Sequence, residues 1–335
     1  MKIGNVTNNS KLELKSDTTS LNLDVYNYRD IWFKTSYLLD KNQSGEIKAK
    51  ERFQNFKTHS LNFNFPKNFN GKINLKNLNK VKAAVIREKG SNSEREMAYA
   101  MSLAGFEVKD VHMTDLISGR ENLEDINFIV AVGGFSNSDV LGSAKGWAGS
   151  FLYNEKAKNS LMNFYKRENT LSLGVCNGCQ MVSKLKDIIP GAESWPSFEK
   201  NLSDQFEARL AQVKIQKSDS ILLRGMEGWS MPIASAHGEG HAKFSQDNLD
   251  HLISNNQIAL NFVDSNENNT ETYPLNPNGS AEGVTGITAA DGRVTIMMPH
   301  PERVFRKLQM SWRPEHWKEF SPWMQIFINA RKSLN

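Results

Sequence analysis

Leu171-Ser172-Leu173-Gly174-Val175-Cys176-Asn177-Gly178-Cys179-Gln180 is the stretch whose reading decides the fold. Leu171, Leu173 and Val175 fit a short buried strand. Met181, Val182 and Leu185, with Lys184 and Lys186 among them, fit a helix that follows at once. A residue in so sharp a strand-to-helix turn is held out at the carboxyl edge of a sheet, beside the first unpaired N–H groups of the helix. That is the geometry of a nucleophile elbow, with Cys176 in the place of a serine. The helix N-terminus favours a thiolate there, and Gly178 allows close backbone approach. Other readings stay open at this point: inert packing, a Cys176-x-x-Cys179 redox pair, or half of a zinc site. Zinc needs about four ligands, so histidines would have to complete a site that these two cysteines, the only ones, begin. The deaminase order, H-x-E before P-C-x-x-C, is reversed here, since His300-Pro301-Glu302 follows the cysteines.

Working outward, the segments before the elbow alternate between strand and helix. Val81 to Ile86 is a near-continuous apolar strand, and Glu94 to Ala104 an amphipathic helix stopped by Gly105. Phe106–Val111 and Phe128–Val132 are the next strands, and Asn154–Tyr165 a helix. This spacing predicts a doubly wound α/β fold whose site lies at the strands' carboxyl ends. Gly133-Gly134-Phe135-Ser136 follows one of those ends. The pair of glycines reads either as a plain turn or as a place where the Gly134 N–H joins that of Asn177 in an oxyanion hole.

Beyond the elbow helix, residues 207–217, 229–236 and 258–263 read as additional strands, and 284–287 with 293–298 as a hairpin around Ala290-Asp291-Gly292. Ala236-His237-Gly238-Glu239-Gly240-His241 reads as a loop bordering the pocket, because glycines between the ligands make a poor metal site. The hairpin ends in Pro299-His300-Pro301-Glu302. His300 is locked between prolines with a carboxylate two residues on, which suits a positioned base. Cys176, His300 and Glu302 then form nucleophile, base and orienter.

Residues 1–80 read differently. Lys11–Leu14 and Leu21–Tyr26 alternate as strands, and a helix-like stretch follows with Trp32, Tyr37 and Leu38 as its apolar face. From Lys41 to Asn79 the chain reads as an extended linker held to its neighbour by Phe53, Phe56, Phe63, Phe65 and Phe69. This segment holds 14 Lys/Arg against 7 Asp/Glu, so it carries +7; the whole chain is +4, and the remainder therefore carries −3. Its lysines are scattered and no nucleic-acid motif surrounds them, so a solvated or partner-facing surface is favoured over nucleic acid. No run of about 18 apolar residues points to a membrane span. Two cysteines without a signal peptide suit a reducing cytoplasm.

With these motifs in hand, the sequence resembles the triad (class I) glutamine amidotransferases, and within them the carboxyl-terminal glutaminase domain of the large single-chain phosphoribosylformylglycinamidine synthases. The likeness rests on Gly133-Gly134-Phe135-Ser136, Lys145-Gly146-Trp147-Ala148, Gly174-Val175-Cys176-Asn177-Gly178-Cys179-Gln180, Ala236-His237-Gly238-Glu239-Gly240 and Pro299-His300-Pro301-Glu302-Arg303. It spans about residues 81–335. Asn137-Ser138 stands where that family usually has Tyr-Gly, and Lys89 where glutamine is usual. The resemblance implies a flavodoxin-like glutaminase domain over 81–335, a strand remnant of a synthetase region over 1–28 and a linker over 29–80.

It further implies roles: Cys176 attacks the L-glutamine amide, His300 moves the proton and Glu302 orients it. Gly134 and Asn177 stabilise the oxyanion, and Gln180 and His237 hold glutamine. No metal or cofactor is implied for this chain; ATP and Mg2+ belong to the synthetase region, its expected partner. No nucleic acid or membrane is implied. The chain then reads as the downstream end of a larger protein, with a non-catalytic regulatory remnant or another Cys hydrolase as the alternatives.

Overall fold

The computed structural model describes residues 3–58, 62–75 and 79–335. At the amino end, β1 (Lys11–Lys15) and β2 (Ser20–Asp24) form an antiparallel hairpin with Leu12 opposite Leu23 and Leu14 opposite Leu21. The second strand is shorter than its pattern predicts. The Asp24 carboxylate accepts the Asn27 N–H at 2.8 Å, and this cap turns Val25 and Tyr26 into the start of α1 (Val25–Gln43).

Two further expectations are corrected here. The linker is not extended from Lys41, because α1 runs to Gln43 and α2 (Gly45–Asn55) follows. The packed face of α1 is also not Trp32 and Leu38, which are 78% and 51% exposed. Instead the Arg29 guanidinium lies 4.4, 5.0 and 3.4 Å from the ring centres of Phe33, Phe53 and Phe56, holding the two helices together by cation–π contact. Cation–π packing of this kind leaves no apolar period in the sequence. Extended chain begins only after α2. There Phe63, Phe65 and Phe69 do find a partner, the rings of Trp312 and Trp317.

The rest of the chain builds one large mixed sheet. Its first half contains β3 (Lys82–Arg87), α3 (Glu94–Leu103), β4 (Glu107–His112), α4 (Met113–Ser118), β5 (Phe128–Ala131), α5 (Lys145–Leu152), α6 (Glu155–Lys166), β6 (Leu171–Val175) and α7 (Asn177–Ser183). Every residue of β5 and β6 is buried, as in strands covered on both faces. The second half contains β7 (Ser197–Glu199), β8 (Glu207–Ile215), β9 (Ser230–His237), β10 (His241–Lys243), α8 (Gln246–Ser254), β11 (Ile258–Phe262), β12 (Val284–Thr288), β13 (Val294–Met297) and α9 (Gln325–Ser333).

Among the described residues the large sheet has nine strands, ordered β4-β3-β5-β6-β13-β12-β11-β8-β9. The first five are parallel, and renumbered among themselves they run 2-1-3-4-5. This is the flavodoxin-like order, and its ligand crevice lies at the carboxyl ends where the order reverses. From β13 onward every pairing is antiparallel. This half curls back on itself: His300, just past β13, donates its N–H to the Ala234 carbonyl of β9 at 2.8 Å. The curl carries β9 from the far edge of the sheet to the elbow.

The helical pair α1–α2 meets the sheet at a buried charge. Glu207 is 2% exposed, accepts hydroxyls from Ser203 (2.6 Å) and Tyr273 (2.9 Å), and pairs with Arg209 and, at 3.8 Å, with Arg52 of α2. Burial and Arg52 push the Arg209 guanidinium down to about 10. Removing one partner of such a group leaves the other charge uncompensated. Arg209→Met is expected to lower unfolding free energy by about 3 kcal/mol, and adding Glu207→Gln should restore part of it. Urea denaturation of the two variants checks this.

Candidate active site

Three carboxyl ends converge at one spot: those of β5, β6 and β13. Cys176 takes φ +53° and ψ −111°, the strained turn that a nucleophile elbow requires. Its N–H is tied to the Met297 carbonyl at 2.9 Å and its carbonyl accepts the Gln180 N–H at 3.0 Å, so sheet and helix fix it from both sides. Gly178 must be glycine, because a Cβ there would collide with the Ala131 carbonyl. The helix therefore packs directly on β5.

His300 enters from the end of β13, and its Nδ1 lies 2.6 Å from Glu302 Oε1. Both residues are fully buried. Nε2 of the ring is buried with no hydrogen-bond partner. The imidazole and Cys176 crowd the same space: a Cβ on Gly133 would meet His300 Cε1 at 2.6 Å and Cys176 Cβ at 3.3 Å. Burial opposes a charge on His300, but Glu302 and then Cys176 outweigh it and raise the imidazole to about 9. The Cys176 thiol itself contacts the Ala236 carbonyl at 3.6 Å.

This coupling has a measurable consequence. A histidine raised from 6.5 to about 9 stabilises the fold fully below pH 6.5, and the contribution is lost as pH rises through 9. Glu302→Gln should remove most of it. The gap in unfolding free energy between wild type and Glu302→Gln is expected to be on the order of 2 kcal/mol larger at pH 6 than at pH 10. Chemical denaturation at the two pH values checks it. Equal gaps would mean that Glu302 does not hold the proton on His300.

Cys179, three residues on, is fully buried, and burial followed by the neighbouring Cys176 pushes its thiol well above the ordinary range. Cys176 instead lines a pocket of about 250 Å³ together with Gly134, Phe135, Ser138, Asp139, Gln180, Phe206, Ala236, His237, Gly238 and Glu239. Gly134 sits at φ +123° and bridges to Ser91. That bridge is made by the flanking peptides, Asn92 N–H to Gly133 O and Phe135 N–H to Gly90 O, each 2.8 Å. In such a pair the central residue's own N–H turns away from its partner strand. Asn177, the other residue expected at an oxyanion hole, begins α7, where the first N–H groups have no intrahelical acceptor.

Side chains fix the remaining wall. The Asn177 carboxamide accepts the Ser136 N–H (3.0 Å) and donates to Gln180 Oε1 (2.8 Å) and Asp139 Oδ2 (3.3 Å). Gln180 Nε2 donates to the Glu239 carbonyl at 2.7 Å, so both ends of its amide build the pocket wall. Asn137, Ser138 and Asp139 are consecutive left-handed residues, anchored where the Asn137 N–H meets the Lys89 carbonyl at 2.7 Å. Asn137-Ser138, the departure from Tyr-Gly, is thus a left-handed turn in this chain.

His237 ends β9, is buried and lines the pocket. Burial, then the neighbouring His300 and Arg209, lower it to about 3. Sequence reasoning does not single out Asp139 or Glu239 as pocket groups, although Glu239 lies in the quoted His-Gly-Glu-Gly run. Among the described residues no three His, Cys, Asp or Glu side chains gather as a metal site.

The profile of the CobB/CobQ-like glutamine amidotransferase domain matches residues 80–333. Among solved structures, PurLQS from Thermotoga maritima is similar at 23% identity over 76% of this chain and 97% of that chain, with a TM-score of 0.56. A glutamine amidotransferase from Thermotoga maritima matches at 16% identity over 67% of this chain and 77% of that chain, with a TM-score of 0.42. At 23% identity the likeness to PurLQS speaks to the fold.

Proposed function

The chain belongs to the CobB/CobQ-like glutamine amidotransferase family, and from that premise we propose that it is the glutaminase half of a phosphoribosylformylglycinamidine synthase. The observation that carries the reading is Cys176 on the pocket at the carboxyl edge of the sheet, with the buried His300–Glu302 pair beside it.

In this reading Cys176 passes its thiol proton to His300 Nε2 and the Sγ thiolate attacks the γ-carbonyl carbon of L-glutamine, so that a C–S bond forms and the carbonyl electron pair moves to oxygen. The Gly134 and Asn177 N–H groups receive that oxyanion, each donor worth about 3 kcal/mol in related hydrolases. As the intermediate collapses the C–N bond breaks, and the nitrogen takes a proton from His300 Nε2 to leave as ammonia. Glu302 keeps Nδ1 protonated throughout, so that Nε2 is the nitrogen that exchanges protons. Water then cleaves the γ-glutamyl thioester. His300 removes its proton and returns it to Sγ, and glutamate is released.

Gln180 and His237 serve as walls of the glutamine site. Ammonia passes to a synthetase, in the same longer chain or a separate one, that uses ATP and Mg2+ to convert formylglycinamide ribonucleotide to its amidine. Among the described residues no helix is long and apolar enough to cross a membrane. Cytoplasmic residence is part of the proposal. The sequence motifs support the synthase assignment over another glutamine-dependent ligase. The test is to add a synthetase and formylglycinamide ribonucleotide with ATP and glutamine. Amidine formation that requires Cys176 supports the reading, and ammonia release with no amidine under saturating synthetase would sink the synthase assignment.

A further inference from the structure

Arg303 follows Glu302 on the same short turn, Pro301–Arg303, yet it takes no part in the chemistry above. Its guanidinium reaches across to the loop between β3 and α3. Nη2 donates to Asn92 Oδ1 at 2.9 Å and to Ser93 Oγ at 2.8 Å, and Nε donates to Ser93 Oγ at 3.1 Å. Ser93 stands at the N-cap of α3, where a hydroxyl ordinarily accepts one of the first helix N–H groups. Here it holds a left-handed φ of +68° and caps nothing. Its oxygen serves Arg303 instead, and its proton goes to Asn92 Oδ1 at 3.2 Å. The helix forgoes its cap, at a strained residue, and the guanidinium gains a fixed seat.

What this loop carries is the glycine turn. The Asn92 N–H donates to the Gly133 carbonyl, and the Gly90 carbonyl accepts the Phe135 N–H, each at 2.8 Å. Gly134 has no slack against the loop, since a Cβ there would lie 2.5 Å from Ser91 Cα and 2.6 Å from Asn92 N. The turn therefore moves only with the loop. On its other side Gly133 faces the His300 ring, whose Cε1 a Cβ would meet at 2.6 Å. Contacts thus close a ring: His300 to Glu302, along the chain to Arg303, across to Asn92 and Ser93, and back through Gly133 to His300.

Arg303 Nε also lies 3.9 Å from Glu302 Oε1, so an electrostatic role through the acid is the competing account. The geometry argues against it. Glu302 Oε1 is buried and already held at 2.6 Å by His300, whereas the Arg303 side chain is 32% exposed and its charge is screened by water. We infer that Arg303 is a positioning residue: it fixes the Gly133–Gly134 turn relative to His300, so that the Gly134 N–H stays aimed at the oxyanion while the base stays beside Cys176. The inference rests on the glutaminase reading above and adds how the oxyanion donor and the base are kept in register.

The test sets glutamine turnover, which needs the oxyanion donor, against alkylation of Cys176 by iodoacetamide, which does not. In alkylation the thiolate attacks a methylene carbon, a C–S bond forms and iodide leaves, so no oxyanion develops. Arg303→Met is expected to lower kcat for glutamine about 100-fold with KM within about threefold, the cost of a catalytic group displaced by about 1 Å. Its rate of Cys176 alkylation should stay within about threefold of wild type from about pH 6 to about pH 9, because the thiolate and its base are untouched. Asn92→Ala combined with Ser93→Ala removes the acceptors but keeps the guanidinium beside Glu302, and the same split is expected. Cys179 is sealed in the core, so molecules alkylated at both cysteines are counted as unfolded and excluded from both rates. Alkylation that falls together with turnover in Arg303→Met would mean that Arg303 acts on the base, which would overturn the inference. A kcat within about threefold of wild type in Arg303→Met or in the double variant would overturn it as well. Wild type that releases no Cys176-dependent ammonia from glutamine would overturn the glutaminase reading on which the inference stands.

Discussion

Cys176→Ala abolishes ammonia release from glutamine, whereas Cys179→Ala retains most of it. The difference is expected because the two thiols, one helical turn apart, live in different surroundings. Cys176 lies in the strained turn, on the pocket, against an imidazole whose Nε2 has no other partner among the described residues. Cys179 is sealed inside the core, where burial holds its thiol protonated. Losing the nucleophile removes the covalent route altogether, so the expected fall is about 10⁴-fold or more, as for members of an interdependent triad. Losing a buried thiol leaves a small cavity and costs about 1 kcal/mol of stability. The measurement is a coupled assay for glutamate and ammonia on both variants. A redox pair would lose its chemistry equally in both, so equal loss would favour that reading.

How much of this is legible in the sequence depends on how local the physics is. The elbow is readable because an apolar strand, a Gly-x-Cys-x-Gly turn and an amphipathic helix are all set by neighbours in sequence. The His300–Glu302 pair is readable for the same reason, being two residues apart between prolines. The parallel, doubly wound half follows from the spacing of its strands and helices. Asp139 is not legible as a pocket group. It faces the site where Asn137, Ser138 and Asp139 all take left-handed backbone, a run of three that residue type does not predict with a serine in the middle. Sequence places the 236–241 run beside the pocket, but it cannot say that β9, the last strand of the sheet, returns to His300 to put it there. That contact depends on the curl accumulated over five antiparallel strands. The α1–α2 pair escapes notice as a unit because its seam is a guanidinium between rings rather than an apolar stripe.

The lone chain is expected to hydrolyse glutamine slowly, and addition of a synthetase loaded with its nucleotide substrate should raise turnover at least about tenfold, or about 1.4 kcal/mol of barrier. The α1–α2 pair supplies the physical argument. Its outer face exposes Tyr28, Ile31, Trp32, Leu38, Leu39 and Ile47, and the hairpin before it exposes Leu12, Leu14 and Leu21. So large an apolar surface next to open strand edges calls for a partner. The inner side of the same pair touches the pocket wall. Gln205 Nε2 donates to the Gln43 carbonyl at 2.9 Å, Arg52 reaches Glu207, and Phe206 between them lines the pocket. Glu207 in turn sits opposite His237 in the β8–β9 register. A partner seated on α1–α2 therefore pulls on both the wall and the residue that faces the substrate, and it can favour the arrangement in which glutamine lies over Cys176. The experiment measures glutamine turnover with and without the loaded synthetase, in wild type and in Arg52→Ala. Wild type should accelerate, and Arg52→Ala should keep its basal rate while losing most of the acceleration. Full turnover by the lone chain, unchanged by the synthetase, would mean that the exposed face of α1–α2 has no bearing on the pocket.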